Sequence, residues 1–127
     1  MHKIMIVDDE ESLRELIKAL FVPEGYKVIA ASSGIECLEL LKTEKPDLIL
    51  MDMMMPEMNG KETIERIRHN PSIKKLKIVM LTVVGLPEIG KKILDKLGVL
   101  NYIAKPFDND NLIKIVKNTI KPIKLKK

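Results

Sequence analysis

The segment Ile4-Met5-Ile6-Val7-Asp8-Asp9 decides the fold, because four consecutive apolar residues end abruptly on two carboxylates. A short apolar run without alternation reads as a strand covered on both faces, and such strands belong to parallel sheets flanked by helices. The same ending recurs downstream: Leu48-Ile49-Leu50-Met51 stops at Asp52, and Tyr102-Ile103-Ala104 stops at Lys105. In open α/β sheets the carboxyl ends of the strands form the edge where ligands bind. Three carboxylates facing one lysine at that edge suit a divalent cation and a phosphoryl group.

Outward from these runs, apolar stretches at Tyr26 to Ala31 and Ile78 to Leu81 complete a set of five strands. Helical patterns separate them. Leu13, Leu16, Ile17, Leu20 and Phe21 repeat at helical spacing, and Ser12 to Glu15 has the spacing of a capping box. Ser33 to Glu36 is a second capping box, opening a helix predicted to run to about Thr43 before Pro46. A third helix is predicted from Asn59 and Gly60, with Ile64 and Ile67 inward. The fourth begins at Pro87 and Glu88, places Ile89, Ile93, Leu94 and Leu97 on one face, and ends at Gly98. The fifth follows Asp108, with Leu112, Ile115, Val116 and Ile120 inward.

Strict βα alternation with short connections implies right-handed crossovers and a doubly wound parallel sheet. Counting elements leaves the Rossmann-like and flavodoxin-like strand orders both open. Val7-Asp8-Asp9-Glu10 stands where a Gly-rich phosphate loop would follow the first strand of a dinucleotide-binding fold, so no nucleotide is expected.

The 127 residues suit one domain, spanning 1–121, with a basic tail at 122–127. The lone Cys37 reads as a small buried apolar residue, and His2 and His69, without ligand partners nearby, as surface residues. Only four apolar residues follow Met1-His2-Lys3, and no apolar stretch approaches a membrane span, so a cytoplasmic protein is expected. Charge is uneven. Residues 1–64 carry 7 Lys/Arg against 13 Asp/Glu, a net of −6, whereas residues 65–127 carry 15 against 5, a net of +10. Lys91, Lys92, Lys96, Lys114, Lys117 and Lys121 fall on the polar sides of amphipathic helices without interleaved aromatic residues, so nucleic acid is not an expected partner.

Taken together, Ile6-Val7-Asp8-Asp9-Glu10, Leu50-Met51-Asp52 with Pro56 and Gly60 behind it, Met80-Leu81-Thr82, and Tyr102-Ile103-Ala104-Lys105-Pro106-Phe107 resemble the receiver domain of two-component response regulators. The resemblance runs from residue 3 to about 120. It implies a flavodoxin-like fold, five parallel strands in the order 2-1-3-4-5 with five helices. It further implies Asp52 as phosphoacceptor and a Mg²⁺ held by Asp8, Asp9, Asp52 and the backbone carbonyl of Met54. Lys105 would pair with a phosphoryl oxygen, Thr82 would be the switch hydroxyl, Tyr102 a rotameric switch, and Lys105-Pro106 a cis bond. For Thr82 and Tyr102, ordinary strand residues are the competing reading. Oxygen ligands and retained waters suit Mg²⁺, and three crowded carboxylates should raise at least one carboxyl pKa.

The function that follows is a phosphoacceptor rather than an enzyme with a released product. The phosphoryl group would come from a sensor histidine kinase or a histidine phosphotransfer domain. The output would be a changed surface on the fourth helix, fifth strand and fifth helix, offered to a downstream protein. With nothing after residue 127, a chemotaxis-type regulator or relay intermediate is expected. Alternatives are a pseudo-receiver interaction module and a metal-dependent phosphatase using Asp52 as nucleophile. Val83 after Thr82, the loop Gly85-Leu86-Pro87, and the apolar pair Met54 and Val84 depart from the family's commonest pattern. Neither Met54 nor Val84 could orient a hydrolytic water, which predicts a long-lived phosphorylated state.

Overall fold

The computed structural model describes residues 2–83 and 88–121, with the side chains of Val83, Glu88 and Ile89 set aside. The expected tail at 122–127 and the residues Val84, Gly85, Leu86 and Pro87 therefore lie outside the described residues. Five strands alternate with five helices: β1 (Lys3–Val7), α1 (Glu11–Phe21), β2 (Lys27–Ala31), α2 (Gly34–Leu40), β3 (Leu48–Asp52), α3 (Gly60–Arg68), β4 (Ile78–Val83), α4 (Glu88–Lys96), β5 (Asn101–Lys105) and α5 (Asn109–Ile120). All pairings are parallel and the order is β2-β1-β3-β4-β5. This is the flavodoxin-like order, and it closes the choice that element counting left open.

Burial follows position in the sheet. Every residue of central β3 is buried, whereas edge strands β2 and β5 carry exposed positions. Alternation divides the core into two layers. Met5, Val7, Ile49, Met51 and Met80 face one set of helices with Cys37, Ile64, Ile67 and Leu94. Ile4, Ile6, Leu48, Leu50 and Leu81 face the other with Ile17, Phe21, Leu112 and Val116.

Helix starts differ in detail from the sequence expectation. α1 begins at Glu11, with Glu10 at the cap making no side-chain bond, so Ser12 lies inside the first turn and caps nothing. The reason is local: the Glu10 amide donates to Asp8 Oδ1 at 2.9 Å, and this turn over the carboxylate starts the helix early. In α2, Ser33 Oγ accepts from the Glu36 amide, but Glu36 Oε1 accepts from the Ser32 amide, one residue outside the expected box. The reciprocal box sits at α3, between Asn59 and Glu62. α4 buries Leu94 and half-buries Leu97, but Ile93 is 40% exposed, so its apolar face is narrower than the spacing suggests. Gly98 takes φ +79°, its amide bonds Asp95 O, and the Val99 amide bonds Leu94 O. That pair of bonds is a Schellman ending, which glycine accommodates without strain.

Candidate functional site

Each charge that ends an apolar run is placed by the strand it ends. Asp8 follows β1, Asp52 closes β3 and Lys105 closes β5. Because β1 and β3 pair with Val7 beside Met51, Asp8 and Asp52 come out at the same level of the sheet. Lys105 reaches across β4 to both: Nζ lies 2.9 Å from Asp8 Oδ2 and 3.0 Å from Asp52 Oδ1. Asp8 is fully buried and Asp52 is 4% exposed, whereas Asp9 faces solvent. Carboxylate oxygens of Asp8, Asp9 and Asp52 nevertheless lie within 4.8 Å of one another.

The surrounding backbone holds these groups. The Asp8 amide bonds Ala31 O on β2 at 3.1 Å, and Arg14 from α1 donates to Asp8 O at 2.8 Å. The Met54 amide lies 3.4 Å from Asp52 Oδ1, drawing the β3–α3 loop over the carboxylate, while the Met54 side chain is 67% exposed. Gly60 sits behind that loop. A Cβ there would fall 2.3 Å from Asp52 O and 3.1 Å from Met53 Cα, so only glycine lets α3 approach the end of β3. Lys105-Pro106 is cis, as expected.

Burial pushes the Asp52 carboxyl pKa up; the Lys105 hydrogen bond opposes this, the Asp8 charge adds to it, and the net shift is upward. Crowding thus contributes, but desolvation leads. For Lys105, burial works against the ammonium, yet hydrogen bonds and charges from Asp8 and Asp52 outweigh it and raise its pKa. The donor set is all oxygen and carries three carboxylates against one lysine. It fits a hard divalent cation such as Mg²⁺, not a soft metal.

Thr82 is buried near the end of β4. Tyr102 on β5 pairs with Met80, and Thr82 pairs with Ala104, so Thr82 and Tyr102 share a face of the sheet on adjacent strands. The Tyr102 hydroxyl points away from that position, donating to Asp95 Oδ1 on α4 at 2.5 Å. His2 and His69 are both exposed, as their isolation suggested. Arg14 and Asp95 were not singled out by sequence, whereas Gly60 entered with Pro56 as a motif residue behind Asp52, without the close approach that explains it. Nothing in the sequence links Asp95 to Tyr102.

Comparison with known proteins agrees with this geometry. The profile of the response regulator receiver domain matches residues 4–117. Over 122 residues the chain is 34% identical to sporulation initiation phosphotransferase F of Bacillus subtilis (strain 168), covering 96% of this chain and 95% of that protein. Several other curated relatives are longer, and the chain spans 27–56% of their length. Among solved structures, chemotaxis protein CheY4 of Vibrio cholerae superposes with a TM-score of 0.86 at 31% identity, over 94% of this chain and 98% of that one. The receiver domain of sensor histidine kinase PA1611 from Pseudomonas aeruginosa PAO1 has a magnesium ion coordinated in its active-site cleft. It superposes with a TM-score of 0.82 at 28% identity, over 94% of this chain and 97% of that one.

Proposed function

The chain belongs to the response regulator receiver family, and from that premise we propose that it accepts a phosphoryl group from a phosphohistidine onto Asp52 and thereby alters a protein-binding surface. The observation that carries the site assignment is the Lys105 ammonium bridging Asp8 and Asp52 at the carboxyl edge of the sheet.

In the proposed reaction an Asp52 carboxylate oxygen attacks phosphorus, the phosphorus–nitrogen bond of the donor breaks, and the imidazole leaves with its electron pair and takes a proton from solvent. Asp8, Asp9, Asp52 and the Met54 carbonyl would hold Mg²⁺, which supplies charge neutralisation between the anionic acceptor and the anionic donor. Lys105 keeps a fixed positive charge beside Asp52 as negative charge gathers there. Buried walls around Asp8 and Asp52 strengthen these interactions.

Thr82 would then hydrogen-bond the new phosphoryl group, and Tyr102 would turn inward on the face it shares with Thr82. The surface of α4, β5 and α5 carries that change to a downstream protein. Donors would be a sensor histidine kinase or a histidine phosphotransfer domain. No helix among the described residues is long and apolar enough to cross a membrane.

Incubation with acetyl phosphate and Mg²⁺ followed by intact mass measurement tests the reading. One added phosphoryl group, dependent on Mg²⁺ and absent in Asp52→Asn, is expected. A pseudo-receiver would gain no mass, and a phosphatase would turn over the donor without holding the adduct. Equal phosphorylation of Asp52→Asn would remove the site assignment.

A further inference from the structure

The amino ends of the strands carry a second concave feature, on the sheet edge opposite the carboxylates. The α3–β4 loop, the α4–β5 loop and the last turn of α5 enclose an open cleft of about 750 Å³. Its floor is aliphatic, built from Leu76, Leu97 and Leu100, the last 55% exposed. Among the described residues, no Asp or Glu lines it.

Two of its cations are structural. Arg68 donates to the carbonyls of Leu97 at 2.6 Å and of Lys74 and Leu76 at 2.7 Å, which fixes both loops. Lys77 Nζ bonds Thr119 O at 3.0 Å and Ile120 O at 3.3 Å, closing the end of α5. The other four, Lys74, Lys75, Lys96 and Lys121, are exposed, and their ammonium groups make no hydrogen bond or ion pair among the described residues.

We propose that this cleft docks an acidic protein segment that seats one large apolar side chain on the leucine floor between flanking carboxylates. Solvation alone would account for the lysines, but not for a concave floor inside their ring on which Leu100 is exposed beside the half-buried Leu76 and Leu97. A recessed apolar anchor with a charged rim is how a small interface concentrates its binding energy while the rim sets partner choice and association rate. Nucleic acid is a poorer match, because among the described residues no aromatic side chain lines the cleft for base stacking and a leucine floor offers phosphates nothing. A lipid surface calls for protruding apolar side chains, whereas these line a concavity. A six-residue β4 separates the cleft from the carboxylate edge by about 20 Å. A segment held here therefore leaves Asp52 accessible, and the inference does not depend on phosphorylation.

The test is amide-resolved NMR of the full chain with three probes at one ionic strength: a short Glu/Asp peptide with a central Leu-Phe pair, a short duplex DNA, and phosphatidylglycerol vesicles. Saturable peptide shifts at Leu76, Gly98, Leu100 and Thr119 are expected. Lys74→Glu with Lys75→Glu in the protein, or serine in place of the peptide's apolar pair, should each weaken binding about tenfold. The double variant should take up phosphate from acetyl phosphate as the parent does. Absence of saturable peptide binding would overturn the proposal. So would binding indifferent to either change, or tighter binding of DNA or vesicles at these amides.

Discussion

The Tyr102 hydroxyl donates to Asp95 Oδ1 at 2.5 Å, fastening the last strand to α4. The Lys91 ammonium lies 5.6 Å from the same ring, and Lys91 O is 3.3 Å from the hydroxyl. Burial first, and then the hydrogen bond and charge of Asp95, raise the phenol pKa, so the hydroxyl keeps its proton and remains a donor. These contacts hold the ring outward and oppose the proposed turn toward Thr82. Asp95→Ala should therefore raise the inward population, by about fivefold if an exposed bond of this kind contributes ~1 kcal/mol. Tyr102 ring resonances, assigned in a Tyr26→Phe background, would report it. Unchanged resonances in Asp95→Ala would show that α4 does not restrain the ring.

The carboxylate cluster should make the metal-free protein less stable than its core alone would allow. Asp52 has a pKa raised by burial, so its favourable contribution is present below the unfolded carboxyl pKa and is lost as pH rises through the folded value. Holding Asp52 as a carboxylate in the folded protein therefore costs stability. Asp52→Asn removes that charge and should raise the melting temperature in chelator, by about 3–6 °C for each kcal/mol gained. Mg²⁺ at about tenfold its dissociation constant should add ~1.4 kcal/mol to the parent and much less to Asp9→Ala. Denaturant titrations with and without metal measure both differences.

The fold was legible because β1, β3 and β4 are buried on both faces, so unbroken apolar runs announced them and the charges after them. The site was legible for the same reason, since Asp8, Asp52 and Lys105 are strand-end residues and their convergence follows from strand order. Contacts between elements distant in sequence were not. Spacing gives no register between α4 and β5, so it could not pair Asp95 with Tyr102. It also put Ile93 with the buried face, although α4 turns that residue toward solvent. Ser12 matched a capping pattern that the Asp8 turn overrode.

Gly60 and Gly34 mark two close approaches that differ in what stands opposite. A Cβ on Gly60 meets backbone, Asp52 O at 2.3 Å, so relief requires moving the end of β3. Gly60→Ala should destabilise by about 1–3 kcal/mol and slow phosphorylation as well. A Cβ on Gly34 meets Thr63 Oγ1 at 2.2 Å, a side-chain atom. Gly34→Ala should therefore be partly rescued by Thr63→Ala, while leaving Asp52 in place. Melting temperatures of the double-mutant cycle, with acetyl phosphate kinetics alongside, separate the two cases. Full rescue of Gly60→Ala by any side-chain truncation would contradict the backbone clash.

Cys37 is fully buried on α2, its thiol donating to Met5 Sδ at 3.8 Å. Burial pushes its pKa from 9.0 to about 12. A thiolate is the reactive form, so the native protein should resist iodoacetamide near neutral pH and react on unfolding. A stability effect follows with a definite sign. Below pH 9 the thiol is protonated in both states and its contribution to folding is complete; between pH 9 and about 12 only the unfolded chain ionises, so that contribution is lost as pH rises. The loss approaches ~1.4 kcal/mol for each pH unit inside this window. Cys37→Ala leaves a small void and lowers stability below pH 9, where the thiol contribution is complete, but it should flatten the alkaline slope. Urea midpoints of parent and variant from pH 8 to pH 10.5 measure that slope, and parallel curves would mean that the thiol is not held in its protonated form by the core.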